Sequence, residues 1–345
     1  MNPTRHEFRG AVANILAGQR ARIDLVNGVR TFKIWATLRA TVQVSVAPAT
    51  NLRNMGSVAG LFTELGVLEN GQEVWNTSGM EGRYLAEMVA PQPLTSSRAG
   101  VAIATYALEE TVCIPFVLPW AASPEETPYL EANPSQKLEF FITLSAAVLS
   151  GALFTIGGAT VAVTAISCEI TQEYDTNRDR RALFIPTARI SPLQITAAAP
   201  GGDTELSLRT SKYVRALVLF QNSDVGVVND VVNRAAFRGD RRVIVGPETH
   251  PWRTLVAQNE FNFGGRVTGA SGFGTAPTGS MAWPRNFQEG GRLSNILNPG
   301  FDTNWRYLLN AQVTAAAGAT RSEVRLLILE LEEKAGLTKA RNFSI

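Results

Sequence analysis

A run of strict two-residue alternation, Thr31–Val46, constrains this chain more than any other stretch. Phe32, Ile34, Ala36 and Leu38 fall on one face and Lys33, Trp35, Thr37 and Arg39 on the other. Val42, Val44 and Val46 carry the pattern on until Pro48 stops it. Successive side chains of an extended backbone point to opposite faces, so the pattern predicts a long strand with one dry face. Similar segments recur between turn signals. Leu65–Leu68 and Glu73–Trp75 flank Glu69-Asn70-Gly71, where Asn-Gly supplies the positive φ angles of a tight hairpin. Ala102–Pro115 reads as another strand, and Pro115, Pro119, Pro124 and Pro128 break up the excursion after it.

Phe140–Cys168 carries no charged residue and is long enough to span a bilayer. Its pattern argues otherwise. Leu138, Phe140, Ile142 and Leu144 alternate with Glu139, Phe141, Thr143 and Ser145, and Val161, Val163 and Ala165 alternate with Thr160, Ala162 and Thr164. With Gly151, Gly157 and Gly158 between them, these read as buried strands. Residues 5–27 differ: Phe8, Val12, Ile15, Leu16 and Ile23 fall at helical spacing, which predicts a helix. Arg5, Arg9, Arg20 and Arg22 make that segment basic. It lacks the apolar centre of a signal peptide, so the chain is expected to be made in a cytoplasm.

With 345 residues, 45% of them hydrophobic and 18% charged, the chain has apolar material for two ordinary cores. A formal net charge of +2 argues against a dedicated genome-coating protein. The order of events repeats. Leu206–Phe220 has the character of Thr31–Val46, Phe237–Val245 stands as a hairpin where the Asn-Gly hairpin stood, and Glu323–Leu331 resembles Ala159–Glu173. Many short strands with few helices point to sandwiches or jelly rolls. The expected division is an N-terminal arm or helix over 1–30, a first sandwich over 31–175 and a connector over 176–204. A second sandwich over 205–334 carries a long Gly-rich loop at 264–300, and a tail covers 335–345. Within the connector, Phe184–Ile195 reads as a short strand.

No constellation for catalysis or metal binding emerges. The two histidines, His6 and His250, lie far apart, and no G-x-S-x-G elbow is present. Glu109 and Glu110 are adjacent, so in a strand they face opposite ways. Asn222-Ser223-Asp224 lacks the ligand spacing of a calcium loop, and Gly272-Phe273-Gly274 lacks the lysine of a phosphate loop. Cys113 and Cys168 have no CxxC spacing and read as small buried hydrophobes, their pairing left open. Trp252, Arg253 and Trp283 are residue types enriched in subunit interfaces. Trp75 with Asn76, and Trp305 with Asn304, are the aromatic-amide pairs a glycan-binding sandwich would use. An enzyme on a jelly-roll scaffold would need clustered histidines.

Val112–Leu130 leading into Gln136–Leu144, Glu205–Phe220, and Arg306–Leu331 give the chain a resemblance to a known family. It resembles the double jelly-roll major capsid proteins of tailless icosahedral phages with an internal membrane, the lineage that includes adenovirus hexon. The resemblance implies an all-β chain of two consecutive eight-stranded antiparallel jelly rolls with a short N-terminal helix. It implies no enzymatic activity and no cofactor. Three copies would form a pseudo-hexagonal homotrimer tiling the virion shell, with membrane lipids and minor or vertex proteins as further partners and no specific nucleic-acid binding. Arg5, Arg9, Arg20 and Arg22 would then face inward toward the membrane, and the loop 264–300 outward. A glycan-binding, spike-like sandwich is the alternative.

Overall fold

The computed structural model describes residues 5–46, 57–89, 94, 97, 102–117, 129–131, 136–145, 160–176, 184–196, 203–207, 212–223, 226–227, 232–238, 250–251, 254, 280–283, 306–311 and 321–333. Strands dominate, and the chain divides into two compact units near Ile185.

The first unit contains β1 (Arg5–Ala13), β2 (Arg20–Asp24), β3 (Arg30–Val46), β4 (Phe62–Glu69), β5 (Gln72–Thr77), β6 (Ala104–Pro115), β7 (Leu130–Glu131), β8 (Leu138–Leu144) and β9 (Thr160–Asp175). One sheet runs β1-β9-β3-β6, with β7 beside the start of β3, and the other runs β5-β4-β8-β2. Leaving β7 aside, first pairs with last, second with seventh, third with sixth and fourth with fifth, all antiparallel. That is the pairing of one long folded hairpin. Rolling it up brings β9 against β3 and β8 against β4, which is the jelly-roll arrangement.

The alternation in β3 is the reason the roll has an inside. Ile34, Ala36, Leu38, Ala40, Val42 and Val44 are all buried. Their neighbours across the sheet, Ile170 and Cys168 on β9 and Val112 and Ile114 on β6, are buried with them. The tight turn at Asn70-Gly71 forms with φ of 51° and 80°, joining β4 to β5. In β9 the predicted alternation slips. Val161 and Val163 are buried, but Ala165 is exposed with φ 51° and the dry face resumes at Ile166. One extra residue opposite Arg39–Thr41 is a β-bulge, which shifts the register.

Residues 5–27 do not form the expected helix; β1 and β2 occupy them. Gly10 and Gly18 sit at φ 150° and 73°, conformations no helix contains. Docking on the edges of β9 and β8 satisfies this backbone, which overrides weak helical spacing. The first roll therefore begins at Arg5 rather than at 31. Among the described residues the unit's α-helix is α1 (Gly79–Val89), between β5 and β6. Ser78 and Glu81 make its capping box: the Ser78 backbone N–H donates to Glu81 at 2.8 Å, and the Ser78 hydroxyl donates to the same carboxylate. Among the described residues no helix is long and apolar enough to cross a membrane, and the charge-free stretch supplies β8 and the start of β9.

The second unit contains β10 (Phe184–Thr196), β11 (Asp203–Ser207), β12 (Tyr213–Ser223), β13 (Gly226–Val227), β14 (Val232–Arg238), β15 (His250–Pro251), β16 (Ser280–Trp283), β17 (Arg306–Ala311) and β18 (Arg321–Glu333). Its sheets run β10-β18-β12, with β16 and β13 on the far edge of β12, and β11-β17-β14-β15. Setting the two-residue β13 aside, this is again the order first-eighth-third-sixth and second-seventh-fourth-fifth. The architectural repeat is thus a repeat of strand order. Two expectations change. The connector 176–204 contains β10, the first strand of the second roll. Within 264–300 the described residues 280–283 form β16, which pairs with β12, and the rest lie outside the described residues. Of the predicted hairpin 237–245, Phe237 and Arg238 close β14, which pairs with β17 and β15, and residues 239–245 lie outside the described residues. Residues 335–345 lie outside the described residues.

A buried amide holds the turn between β2 and β3. Gln172, fully buried on β9, accepts from the Val26 backbone N–H at 2.8 Å and donates to Thr31 Oγ1 at 2.8 Å and to the Val26 carbonyl at 3.3 Å. Replacing Gln172 by Leu will strand these partners and lower stability by about 1–3 kcal/mol in a urea titration.

Candidate assembly surfaces

Because β3 and β9 present one parity inward, the other parity makes a second surface, the outer face of the first sheet. Rows across it follow from the registers. His6, Glu173 and Lys33 form one row; Phe8, Thr171, Trp35 and Cys113 form the next. Past the bulge at Phe8/Gly10, Ala11, Glu169, Thr37 and Thr111 align, then Ala13, Ser167, Arg39 and Glu109. The charges are paired within the face. Lys33 lies 3.8 Å from Glu173, and the Trp35 indole N–H donates to that carboxylate at 3.4 Å. Arg39 bridges Glu109 at 2.6 Å and Glu169 at 2.5 Å. Glu109 and its neighbour Glu110 do point opposite ways: Glu110 is 1% exposed.

The arginines expected to form one basic arm are spread over two sheets. Arg9 lies 2.5 Å from Glu7 and donates to the Asp24 carbonyl at 3.4 Å, so it spans from β1 to β2. Tyr174 donates its hydroxyl to Glu7, and Arg5 hydrogen-bonds Tyr174. Arg20 bridges Glu64 at 2.7 Å and Glu73 at 2.9 Å, and its guanidinium lies 4.2 Å from the Phe141 ring centre. Arg22 lies 3.7 Å from Glu139. Arg9, Arg20 and Arg22 are each met by an acidic side chain of their own unit, and strand pairing sets those of Arg20 and Arg22 beside them from distant segments, while Arg5 meets the Tyr174 hydroxyl.

The Tyr174 hydroxyl, helped by Arg9 and Arg5, holds the Glu7 carboxyl below its usual value. A carboxylate depressed on folding contributes stability above its unfolded pKa and loses it as pH falls through the folded value. Glu7→Gln will therefore flatten the acid limb of the stability curve below about pH 4.5, near the usual carboxylate value, and its difference from wild type will vanish once pH has fallen through the folded value. Thermal melts across that range check it.

A second buried cluster ties the β3–β4 and β5–β6 connections to β6. Glu110 accepts from the Ser57 hydroxyl and from the Ala59 backbone N–H at 2.9 Å, and lies 3.4 Å from Arg83 of α1. Arg83 also bonds Glu87 at 2.6 Å. Sequence reading missed this lock, although the signal existed: Leu108, Glu110, Val112 and Ile114 share one parity, and a charge on a dry face needs partners. The capping box Ser78-x-x-Glu81 was likewise the available sign of α1.

Trp252 and Arg253 lie outside the described residues, as do Asn304 and Trp305. Trp283 ends β16 opposite Leu217. Trp75 is 1% exposed and packs edge-on against Phe116 at 5.5 Å, so it is a core residue and no sugar platform. Cys113 and Cys168 are free and buried. Cys113 lies opposite Trp35 and Cys168 opposite Leu38, three residues on, so they face opposite sides of the sheet and cannot pair. Burial pushes both thiols well above their usual pKa.

No family model matches the chain, and no curated protein matches it in sequence. Solved structures match it along nearly its whole length. The crystal structure of the STIV MCP aligns with a TM-score of 0.65 at 15% identity, covering 98% of this chain and 100% of that one. The major capsid protein of bacteriophage PM2 aligns at 0.54 and 10% identity, covering 97% and 100%. A chain of the PBCV-1 virus capsid aligns at 0.58 and 12% identity, covering 99% and 98%. The shared property is the fold: two jelly rolls in one chain.

Proposed function

We propose that this chain is a viral major capsid protein whose copies associate as homotrimers and tile an icosahedral shell. The observation that carries the reading is that both units have the same jelly-roll strand order, in a chain that matches capsid proteins from end to end. Two similar rolls per chain give three copies six similar lobes, the outline a near-hexagonal tile needs. A tile buries large side surfaces against its own copies, which suits 45% hydrophobic residues and a net charge of only +2. In this reading the chain resides in the virion shell, and its first partner is itself. Lipids of an internal membrane and minor proteins at the vertices are further partners. Of the arginines expected to face such lipids, Arg9, Arg20 and Arg22 would meet them already ion-paired, so attraction to anionic headgroups through these three is weak, and Arg5 is hydrogen-bonded to Tyr174.

Light scattering on the purified chain, followed by negative-stain imaging, tests the proposal. A mass of three chains with a six-lobed outline supports it. A monomer that stays monomeric at high concentration, with saccharide quenching its tryptophan fluorescence, overturns it in favour of a glycan-binding sandwich.

A further inference from the structure

Phe8 is 60% exposed in the middle of β1, the edge strand of its sheet. None of the nine residues of β1 is buried, so neither its outer edge nor its outer face is covered by the rest of the chain. An uncovered edge strand bearing a large apolar side chain is an association hazard unless something occupies it. Phe8 is not isolated. It shares a row with Thr171, the half-buried Trp35 and the buried Cys113; the row on one side holds His6, Glu173 and Lys33, and the rows on the other hold Ala11, Glu169, Thr37 and Thr111, then Ala13, Ser167, Arg39 and Glu109. The two aromatics, on either side of Thr171, make this row apolar, and the long charged side chains of the neighbouring rows are drawn into ion pairs within the face.

The charges of the neighbouring rows decide the occupant. Lys33 and Arg39 stand against Glu109, Glu169 and Glu173, and every one of these five is already bridged within the face. A face read by a nucleic acid or an anionic lipid surface would carry unpaired positive charge. This face carries almost no net charge and pairs what it has. A face of that kind meets another face of the same chain, whose formal net charge is only +2, without strong like-charge repulsion, and its ion pairs are buried together without losing partners.

We infer that the outer face of the first sheet, centred on Phe8 and Trp35, is a contact surface for a second copy of this chain. The inference rests on the capsid reading and names the surface through which copies meet. Phe8→Asp is the variant of choice, because the side chain already stands in solvent and the core is untouched. Leu16→Asp is the control: Leu16 is 59% exposed but lies in the turn between β1 and β2, off the face.

The full chain, the Phe8→Asp chain and the Leu16→Asp chain are compared by light scattering over a concentration series, with thermal melts to verify folding. The expected result is wild-type association that Leu16→Asp retains and Phe8→Asp weakens by tenfold or more, at an unchanged melting temperature. Should Phe8→Asp associate as wild type does, the surface assignment fails while the capsid reading stands. Should wild type remain a monomer throughout, both fail together. If Phe8→Asp melts lower, Phe8→Ser is substituted, and retained association again overturns the assignment.

Discussion

Glu110→Ala will cost about 3–5 kcal/mol of stability, the range for removing one partner of a buried ion pair. The side chain is 1% exposed and serves three groups from two segments: the Ser57 hydroxyl and Ala59 N–H before β4, and Arg83 of α1. Truncation leaves a buried guanidinium short of charge and two donors without their acceptor. Glu110→Gln keeps an acceptor oxygen while removing the charge, so it will fall between wild type and alanine. Guanidinium titrations give the two numbers, and limited proteolysis adds a local readout. The segment before β4 and the one holding α1 will be cut faster in Glu110→Ala than in wild type. A loss under about 1 kcal/mol, the worth of an exposed pair, would show that the lock is ornamental.

Gly66→Ala is expected to be comparably severe for a different reason. A Cβ at Gly66 would lie 2.1 Å from the Trp75 carbonyl oxygen and 2.5 Å from the Phe141 ring. The carbonyl belongs to the backbone of β5, which is held to β4 in register, so it cannot turn aside. The missing side chain is what lets Phe141 lie over the strand and carry Arg20 on its other face. Overpacking of this kind costs about 1–3 kcal/mol where neighbours yield. Here a backbone atom blocks relief, so about 3 kcal/mol or more is expected. At roughly 2–4 °C per kcal/mol this lowers the melting temperature by about 6–12 °C. Thr63→Ala, at an exposed position of the same strand, will change it by little.

Strand identity was legible wherever one face of a segment is dry. Thr31–Val46 alternates because β3 has core on one side only, and Asn70-Gly71 turns because its two residues tolerate positive φ. The same rule failed at residues 5–27. There few side chains are buried, so the apolar spacing carried little information and edge pairing decided the outcome. Helix α1 went unread because its glycines mask the helical pattern, although its capping box was present. The candidate surface shows the same split: Phe8 and Trp35 were each visible in the sequence, but only the register of β1, β9 and β3 sets them in one row.

The sequence by itself determined that the chain is all-β, that it repeats a strand pattern, and which face of its clearest strands is dry. These are local properties, settled by side chains two residues apart and by turn chemistry. Tertiary structure alone decided which strands are edges and which charges are buried. Those outcomes depend on residues that meet only when the long hairpin rolls up: Ser57 with Glu110 across 53 positions, Val26 with Gln172 across 146, Glu7 with Tyr174 across 167. No short-range pattern encodes such pairs, because each partner's own neighbourhood is satisfied without the other.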